Sequence, residues 1–262
     1  MAPDDIELAQ SEILQKIRAR TPARLFVGRS GAAPRTVTQL ELRAAHAAAI
    51  DSVDTELDLQ RDLGSEITGQ YSVFEVQTLA KSKAEYLRDP DLGRHLNDAG
   101  RELIRNGCPA GTDLQIAIGD GLSVAAVAAQ VPTLLPPLMS KSLQSGWSIG
   151  QPFVIRYCRV GVMNEIGELL RPKVVLLLIG ERPGLATAES LSAYMAFQPK
   201  AGHTDADRNL ISNIHARGVP VDVAAHRIID FAAQLMRAGR SGSGVKEDLR
   251  STAHAQGQQL GD

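Results

Sequence analysis

Glu181 and Arg182 follow directly on six consecutive apolar residues, Val174 to Ile179, and precede Pro183 and Gly184. An apolar run of this kind suits a strand buried on both faces, and hence a central parallel strand of an α/β sheet. Ligands of open α/β sheets gather beyond the carboxyl ends of the strands, which is where this carboxylate and guanidinium stand. Two further apolar runs also end in polar loops. Leu114 to Ile118 leads into Gly119 to Ser123, and Phe153 to Tyr157 overlaps the loop from Arg156 to Val160. If the three strands are neighbours, Asp120, Arg156, Arg159, Glu181 and Arg182 form one composite ligand surface. Glu181 would accept hydrogen bonds from amides or hydroxyls of a polar ligand, and the glycines would let main chain approach closely. The spacing equally allows a plainer reading, in which Glu181 and Arg182 pair with nearby charges and Pro183-Gly184 turns the chain.

Other chemistries find little support. The loop from Gly119 to Ser123 lacks both the three-glycine dinucleotide pattern and a phosphate-loop lysine. Ser123 is not in a nucleophile elbow, and no histidine or aspartate spacing completes a hydrolase triad. Cys158 stands beside two arginines, which would lower its pKa at a surface, but a small buried core cysteine is the preferred reading. His215 and His226 lie across Pro220 from one another, a spacing that suits surface or capping roles better than a metal pair. The chain therefore offers binding groups without a nucleophile, base or metal cage, as expected of a subunit that completes a site on another chain.

Residues 4 to 20 suit a helical arm opened by Asp4 and Asp5, with Ile6, Ile13, Leu14 and Ile17 towards one face. Gly28 to Arg35 is a loop with two arginines, Arg29 and Arg35, after which Thr36 would cap an alanine-rich helix towards Ile50. The stretch 50 to 70 is acidic and has no clean period, and Val73 to Val76 suits a short strand. Leu92, Leu96, Ala99 and Leu103 recur at helical steps after Asp89-Pro90. From Asp113 onwards strands alternate with helices: an alanine-valine helix after Ser123, another over Pro132 to Leu143, and one over Val162 to Leu170. That alternation predicts a mostly parallel, Rossmann-like α/β sheet with helices on both faces. Ser190 to Phe197 would return as a strand, Asp205 to His215 would be a capped helix, and Asp222 to Arg237 a closing helix with Ala224, Ile228, Phe231 and Leu235 inward. The expected organisation is an arm (1–20), an α/β domain (21–240, helical to about 110 and sheet-forming from 111) and a flexible tail (241–262).

Length and composition fit this picture. The 262 residues suffice for a substantial core. A net charge of −2 and an aromatic content of 4% argue against a nucleic-acid binder. No apolar run reaches the roughly 18 residues of a membrane span, and the first residues lack a basic, then apolar, secretory pattern, so a cytoplasmic location is expected. Two cysteines, Cys108 and Cys158, offer no disulfide framework.

The order of several short motifs carries a more specific signal. Arg156-Tyr-Cys-Arg-Val160, Ile166-Gly-Glu168, Gly180-Glu-Arg-Pro-Gly-Leu185, Glu189-Ser-Leu-Ser192 and Ile211-Ser-Asn-Ile-His215 closely resemble the small subunit of ethanolamine ammonia-lyases. Upstream, Gly28-Arg-Ser-Gly31, Asp91-Leu-Gly-Arg94 and Gly119 to Ser123 fit the same family in the same order, so the likeness covers about residues 20 to 245. The resemblance implies a subunit that covers adenosylcobalamin against a large, barrel-shaped catalytic subunit, several such pairs assembling into a higher hetero-oligomer. The cofactor supplies a radical that converts ethanolamine into acetaldehyde and ammonia, and the protein shields it. By the same resemblance, Val160, Glu181 and Leu210 match cofactor contacts, position 210 holding leucine where relatives have cysteine. No residue here matches a cobalt ligand, so the cofactor's own base is expected to stay coordinated. Some relatives carry a longer leader that directs them into a bacterial microcompartment; the arm at 4 to 20 is at least as well suited to packing on the partner. A stand-alone cobalamin-binding or storage module is the rival reading.

Overall fold

The computed structural model describes residues 12–19, 25, 27, 29–184 and 186–248. A short helix over 12–19 (α1) precedes a small hairpin, β1 (Arg29–Ser30) and β2 (Ala33–Pro34), turned by Gly31 at φ 63°. Then come α2 (Thr36–Asp54), α3 (Leu59–Asp62), α4 (Gly64–Gln70), β3 (Phe74–Gln77), α5 (Lys83–Arg88) and, after a 3-10 turn at Leu92–Arg94, α6 (Asp98–Gly107). The alternating part comprises β4 (Leu114–Gly119), α7 (Val124–Gln144), β5 (Phe153–Arg156), α8 (Val162–Leu170), β6 (Val174–Gly180) and β7 (Leu191–Phe197). A 3-10 turn at Asp205–Asp207, β8 (Asn209–Ile214) and α9 (Val221–Ala238) close the fold.

The six large strands form one sheet in the order β3-β5-β4-β6-β7-β8. β3, β5, β4 and β6 run parallel, whereas β7 and β8 are antiparallel to their neighbours. The expected mostly parallel, Rossmann-like sheet is thus corrected to a mixed α/β sheet. The physical reason lies between β6 and β7: residues 181–190 contain no crossover helix, so the chain can only reverse direction beside β6. β3 belongs to this same sheet, so the helical first part and the alternating second part share a core.

Helices do cover both faces. Along β4 and β6, Leu114, Ile116, Ile118, Val174, Leu176 and Leu178 face α7 and α9, while Ala117, Val175, Leu177 and Ile179 join the core beneath α6 and α8. Every residue of β4 and β6 is buried, as the continuous apolar run requires. The closing helix buries the four positions expected of it. Among the described residues, no helix is long and apolar enough to cross a membrane.

Four local expectations change. The expected helix from Asp205 to His215 is a 3-10 turn followed by a strand. Its capping signal is real, since Thr204 and Asp207 form a reciprocal capping box, but it closes a single turn. Asn209 and Ile211 are buried while Leu210 and Ser212 are exposed, the period of two that marks a strand. The two helices expected around Pro132 are one, α7, which carries Pro132, Pro136 and Pro137 inside it and is held by Val127, Val131, Leu134, Leu135 and Leu138 in the core. The helix expected from Leu92 begins only at Asp98, capped by Asn97, and buries Ile104 rather than Leu103. Thr36 is the first helical residue, not the cap, of α2.

At the ends, α1 covers 12–19 of the expected arm, with Ile13 and Ile17 exposed; Ile6 lies outside the described residues. Residues 241–248 are tied to the domain, because Asn209 Nδ2 donates to the carbonyls of Gly242 and Val245, and Arg227 pairs with Glu247. Positions 249–262 lie outside the described residues.

Candidate functional site

Because β5, β4 and β6 are adjacent and parallel, their three carboxyl-terminal loops abut, as the sequence predicts. Val160, Glu181 and Leu210 come from three separate segments, yet they line one cleft of about 310 Å³ with Arg159, Arg182 and Tyr194. Leu185 lies outside the described residues. The loops pack tightly because two glycines let them. A Cβ on Gly180 would stand 2.0 Å from the Ser123 carbonyl oxygen, and one on Gly121, at φ 58°, 2.3 Å from the Gly180 carbonyl oxygen.

Glu181 is held in place rather than left free. Its Oε2 accepts from Ser190 Oγ at 2.8 Å, and its Oε1 from Ser192 Oγ at 2.5 Å and from the Asn213 amide at 3.0 Å. The antiparallel turn-back from β6 to β7 delivers those serines, and β8 delivers Asn213, which sits at φ 65°. The expectation that Glu181 merely pairs with nearby charges does not apply; no ion pair to it is found among the described residues. Leu210 projects from β8 opposite Tyr194 and is 43% exposed, an apolar side chain at the cleft's rim.

Two residues expected on the ligand surface are elsewhere. Asp120 is buried under the loops, where it accepts from the Tyr157 and Cys158 amides, both at 2.8 Å. Burial pushes its carboxyl above the usual range, opposed mainly by the charge of Lys83. Arg156 turns towards the β3 edge, with Nε 2.6 Å from Glu75. Arg159 does face the cleft, its guanidinium carbon 4.3 Å from the centre of the Tyr86 ring. Arg29 and Arg35 lie in the β1–β2 hairpin and at the start of α2, and both are exposed.

The thiol of Cys158 is buried and its pKa is raised well above the ordinary value by burial, which bears out the core reading. His215, expected at the surface or as a cap, is buried, and its ring bonds to Asn213 Oδ1 and the Arg217 amide. His226 is exposed and bonds to Lys141. Sequence reasoning missed Tyr86, Ser192, Tyr194 and Ser212, all of which line the cleft. Ser190-x-Ser192 directly after the Glu181 loop was the available signal, since a strand's period of two turns both hydroxyls to one side.

The cleft continues on both flanks. Through Val160 and Tyr194 it meets a polar cleft of about 620 Å³ that includes Arg94, His203 and Arg208. Through Leu122 and Arg182 it meets an apolar hollow of about 480 Å³ under α2. Among the described residues, no group of three His, Cys, Asp or Glu side chains could hold a metal ion.

Comparison with known proteins agrees with the motif order. Residues 11–246 match the family model of the ethanolamine ammonia-lyase light chain. The ethanolamine ammonia-lyase small subunit of Clostridium acetobutylicum is 39% identical over 233 residues, 89% of this chain and 94% of that protein. The small subunit of Clostridium perfringens is 40% identical over 238 residues, 91% of this chain and 79% of that protein. With matches of this extent, the chain belongs to the ethanolamine ammonia-lyase light-chain family.

Proposed function

We propose that this chain is the cofactor-covering subunit of an adenosylcobalamin-dependent ethanolamine ammonia-lyase, and that the cleft at Val160, Glu181 and Leu210 receives one edge of the corrin. The observation that carries the proposal is that these three positions, distant in sequence and matched to cofactor contacts only by resemblance, line one cleft. The donor set suits such a ligand. Corrin side-chain amides are neutral donors and acceptors, and Glu181, Ser192, Ser212, Arg159 and Arg182 offer both kinds of partner beside the apolar surfaces of Val160, Ile179 and Leu210.

The cleft of about 310 Å³ runs on into neighbouring hollows instead of closing around a ligand, and a corrinoid is far larger than the cleft itself. This suits a chain that offers one wall of a site; the large subunit supplies the facing wall and carries the substrate. When bound, adenosylcobalamin supplies the radical that turns ethanolamine into acetaldehyde and ammonia. This chain's residues bind and orient one edge of it and exclude water from that side.

The test is co-expression with the large subunit. The complex should release acetaldehyde only when adenosylcobalamin is added, and this chain alone should release none. Full activity from this chain alone would overturn the subunit assignment. Adenosylcobalamin held by this chain as tightly alone as in the complex, with no lyase activity in either, would favour a storage module.

A further inference from the structure

Beneath the cleft lie a buried carboxyl and a buried amine, Asp120 and Lys83, that the cofactor reading leaves unused. Asp120 follows β4 directly and is 1% exposed. Its Oδ2 accepts from the amide of Tyr157 and its Oδ1 from the amide of Cys158, both at 2.8 Å. Two consecutive main-chain N–H groups thus end on the two oxygens of one carboxylate. Tyr157 sits at φ 56°, in the left-handed region that a bulky residue enters only when its surroundings hold it there.

The rest of the segment is fixed from the same side. Thr78 Oγ1 donates to the Tyr157 carbonyl at 3.0 Å, and Tyr86 Oη to the Cys158 carbonyl at 3.1 Å. Lys83, the first residue of α5, is 6% exposed and donates from Nζ to the Gly121 carbonyl at 3.2 Å. Burial lowers the Lys83 pKa and raises that of Asp120, each shift being opposed chiefly by the charge of the other group. Two residues further on, the chain reaches Val160 at the cleft wall.

We propose that Asp120, with Lys83 as its buried partner, is a positioning residue that fixes the main chain from Tyr157 to Val160 in the shape that receives the cofactor, without touching the cofactor itself. This rests on the reading of the cleft as a cobalamin site. Asn at position 120 keeps the volume but aims an NH₂ group at one of the two amides, so the change is local to this segment.

The experiment uses the complex with the large subunit. Adenosylcobalamin binding is measured by equilibrium dialysis, and KM for ethanolamine and kcat are measured at saturating cofactor. Asp120→Asn should weaken adenosylcobalamin binding roughly tenfold or more while kcat and KM for ethanolamine stay within about twofold of the unmodified complex. Lys83→Met should shift cofactor affinity in the same direction and serves as the reading if Asp120→Asn does not assemble. Unchanged cofactor affinity, or a loss shared equally by cofactor affinity, kcat and KM for ethanolamine, would overturn the inference in favour of a purely structural role. Glu181→Ala, measured alongside, separates the two levels. If it weakens binding and Asp120→Asn does not, only the positioning role fails; if neither does, the cofactor reading of the cleft fails with it.

Discussion

At the scale of single residues, Glu181 shows how neighbouring donors fix a cleft carboxylate. A carboxylate has about four acceptor positions, and three of Glu181's are taken by Ser190, Ser192 and Asn213. Oε2, bonded only to Ser190, retains room for one more donor. Glu181→Ala removes that acceptor, so adenosylcobalamin affinity of the complex should fall by about 1–3 kcal/mol, as for a hydrogen bond to a charged group. Equilibrium dialysis reads this directly, and equal affinity would count against Glu181 as a ligand. Leu210→Ala should behave differently. The side chain is 43% exposed, so the unfolding midpoint should barely move, by less than about 0.5 kcal/mol in stability. Any loss should appear in cofactor affinity alone. Glu181 was legible in the sequence because a buried strand ending in Gly-Glu-Arg-Pro-Gly fixes where the residue stands. Asp120 was legible as a loop residue but not as a buried one. Strand ends reveal which residues reach a loop, not which way they then turn; that depended on the left-handed turn at Tyr157 and on Lys83, far away in the chain.

At the scale of elements, pattern and capping served well wherever burial was continuous, and failed wherever one local signal had two structural uses. β6 and α8 match the expected strand and helix closely, because an all-apolar strand and an amphipathic helix admit few alternatives. The capping box at Thr204 admits two, a helix or a single turn, and β7 decided between them by offering an edge for β8 to pair with. The same edge delivers Ser192 and Asn213 to Glu181, so the two antiparallel strands, which strand-helix alternation did not foretell, help build the cleft. Contact between loops should be as restrictive as contact within the sheet. Gly180→Ala would drive a methyl group to within 2.0 Å of the Ser123 carbonyl oxygen, in rigid main chain, and should destabilise the fold by about 1–3 kcal/mol or more while spreading the β4 and β6 loops. A thermal midpoint equal to that of the unmodified chain would show that these loops yield more easily than their packing implies. At the opposite end of the same two strands, Asp113 accepts from Lys173 at 2.6 Å and from the Ser148 amide and hydroxyl at 2.8 and 2.9 Å. The hydrogen bond from Lys173, then that from the Ser148 amide, lowers its pKa. A carboxyl lowered in the folded state stabilises above its unfolded pKa, and that contribution is lost as pH falls through the folded one. Asp113→Asn should therefore lower stability near neutral pH and reduce the further loss below about pH 4, as pH-dependent denaturant melts would measure. Parallel curves for the two proteins at all pH values would contradict this.

At the scale of the whole molecule, apolar burial is unevenly distributed among the helices. α7 and α9 bury apolar faces against the sheet. α2 does not: of its 19 residues only Thr38 and Ser52 are buried, and Val37, Leu40 and Ile50 are 61, 58 and 49% exposed. Most helical stability in proteins comes from packing one apolar face, and α2 buries little of one. Its firm tie is at the far end, where Ser52 Oγ lies 2.9 Å from Ser123 Oγ, the cap of α7 and part of the loop that abuts Gly180. Local opening should follow this gradient. In hydrogen exchange on the isolated chain, amides early in α2 should exchange fastest, protection should rise towards Ser52, and α7 should exchange only with global unfolding. Uniform protection along α2, equal to that of α7, would mean that the helix is held by contacts other than the Ser52 anchor. The outcome bears on the site, because α2 forms one wall of the apolar hollow that continues the Glu181 cleft past Leu122 and Arg182. Fast exchange early in α2 would make that side of the cleft the adjustable one, opposite the segment whose Tyr157 and Cys158 amides end on Asp120.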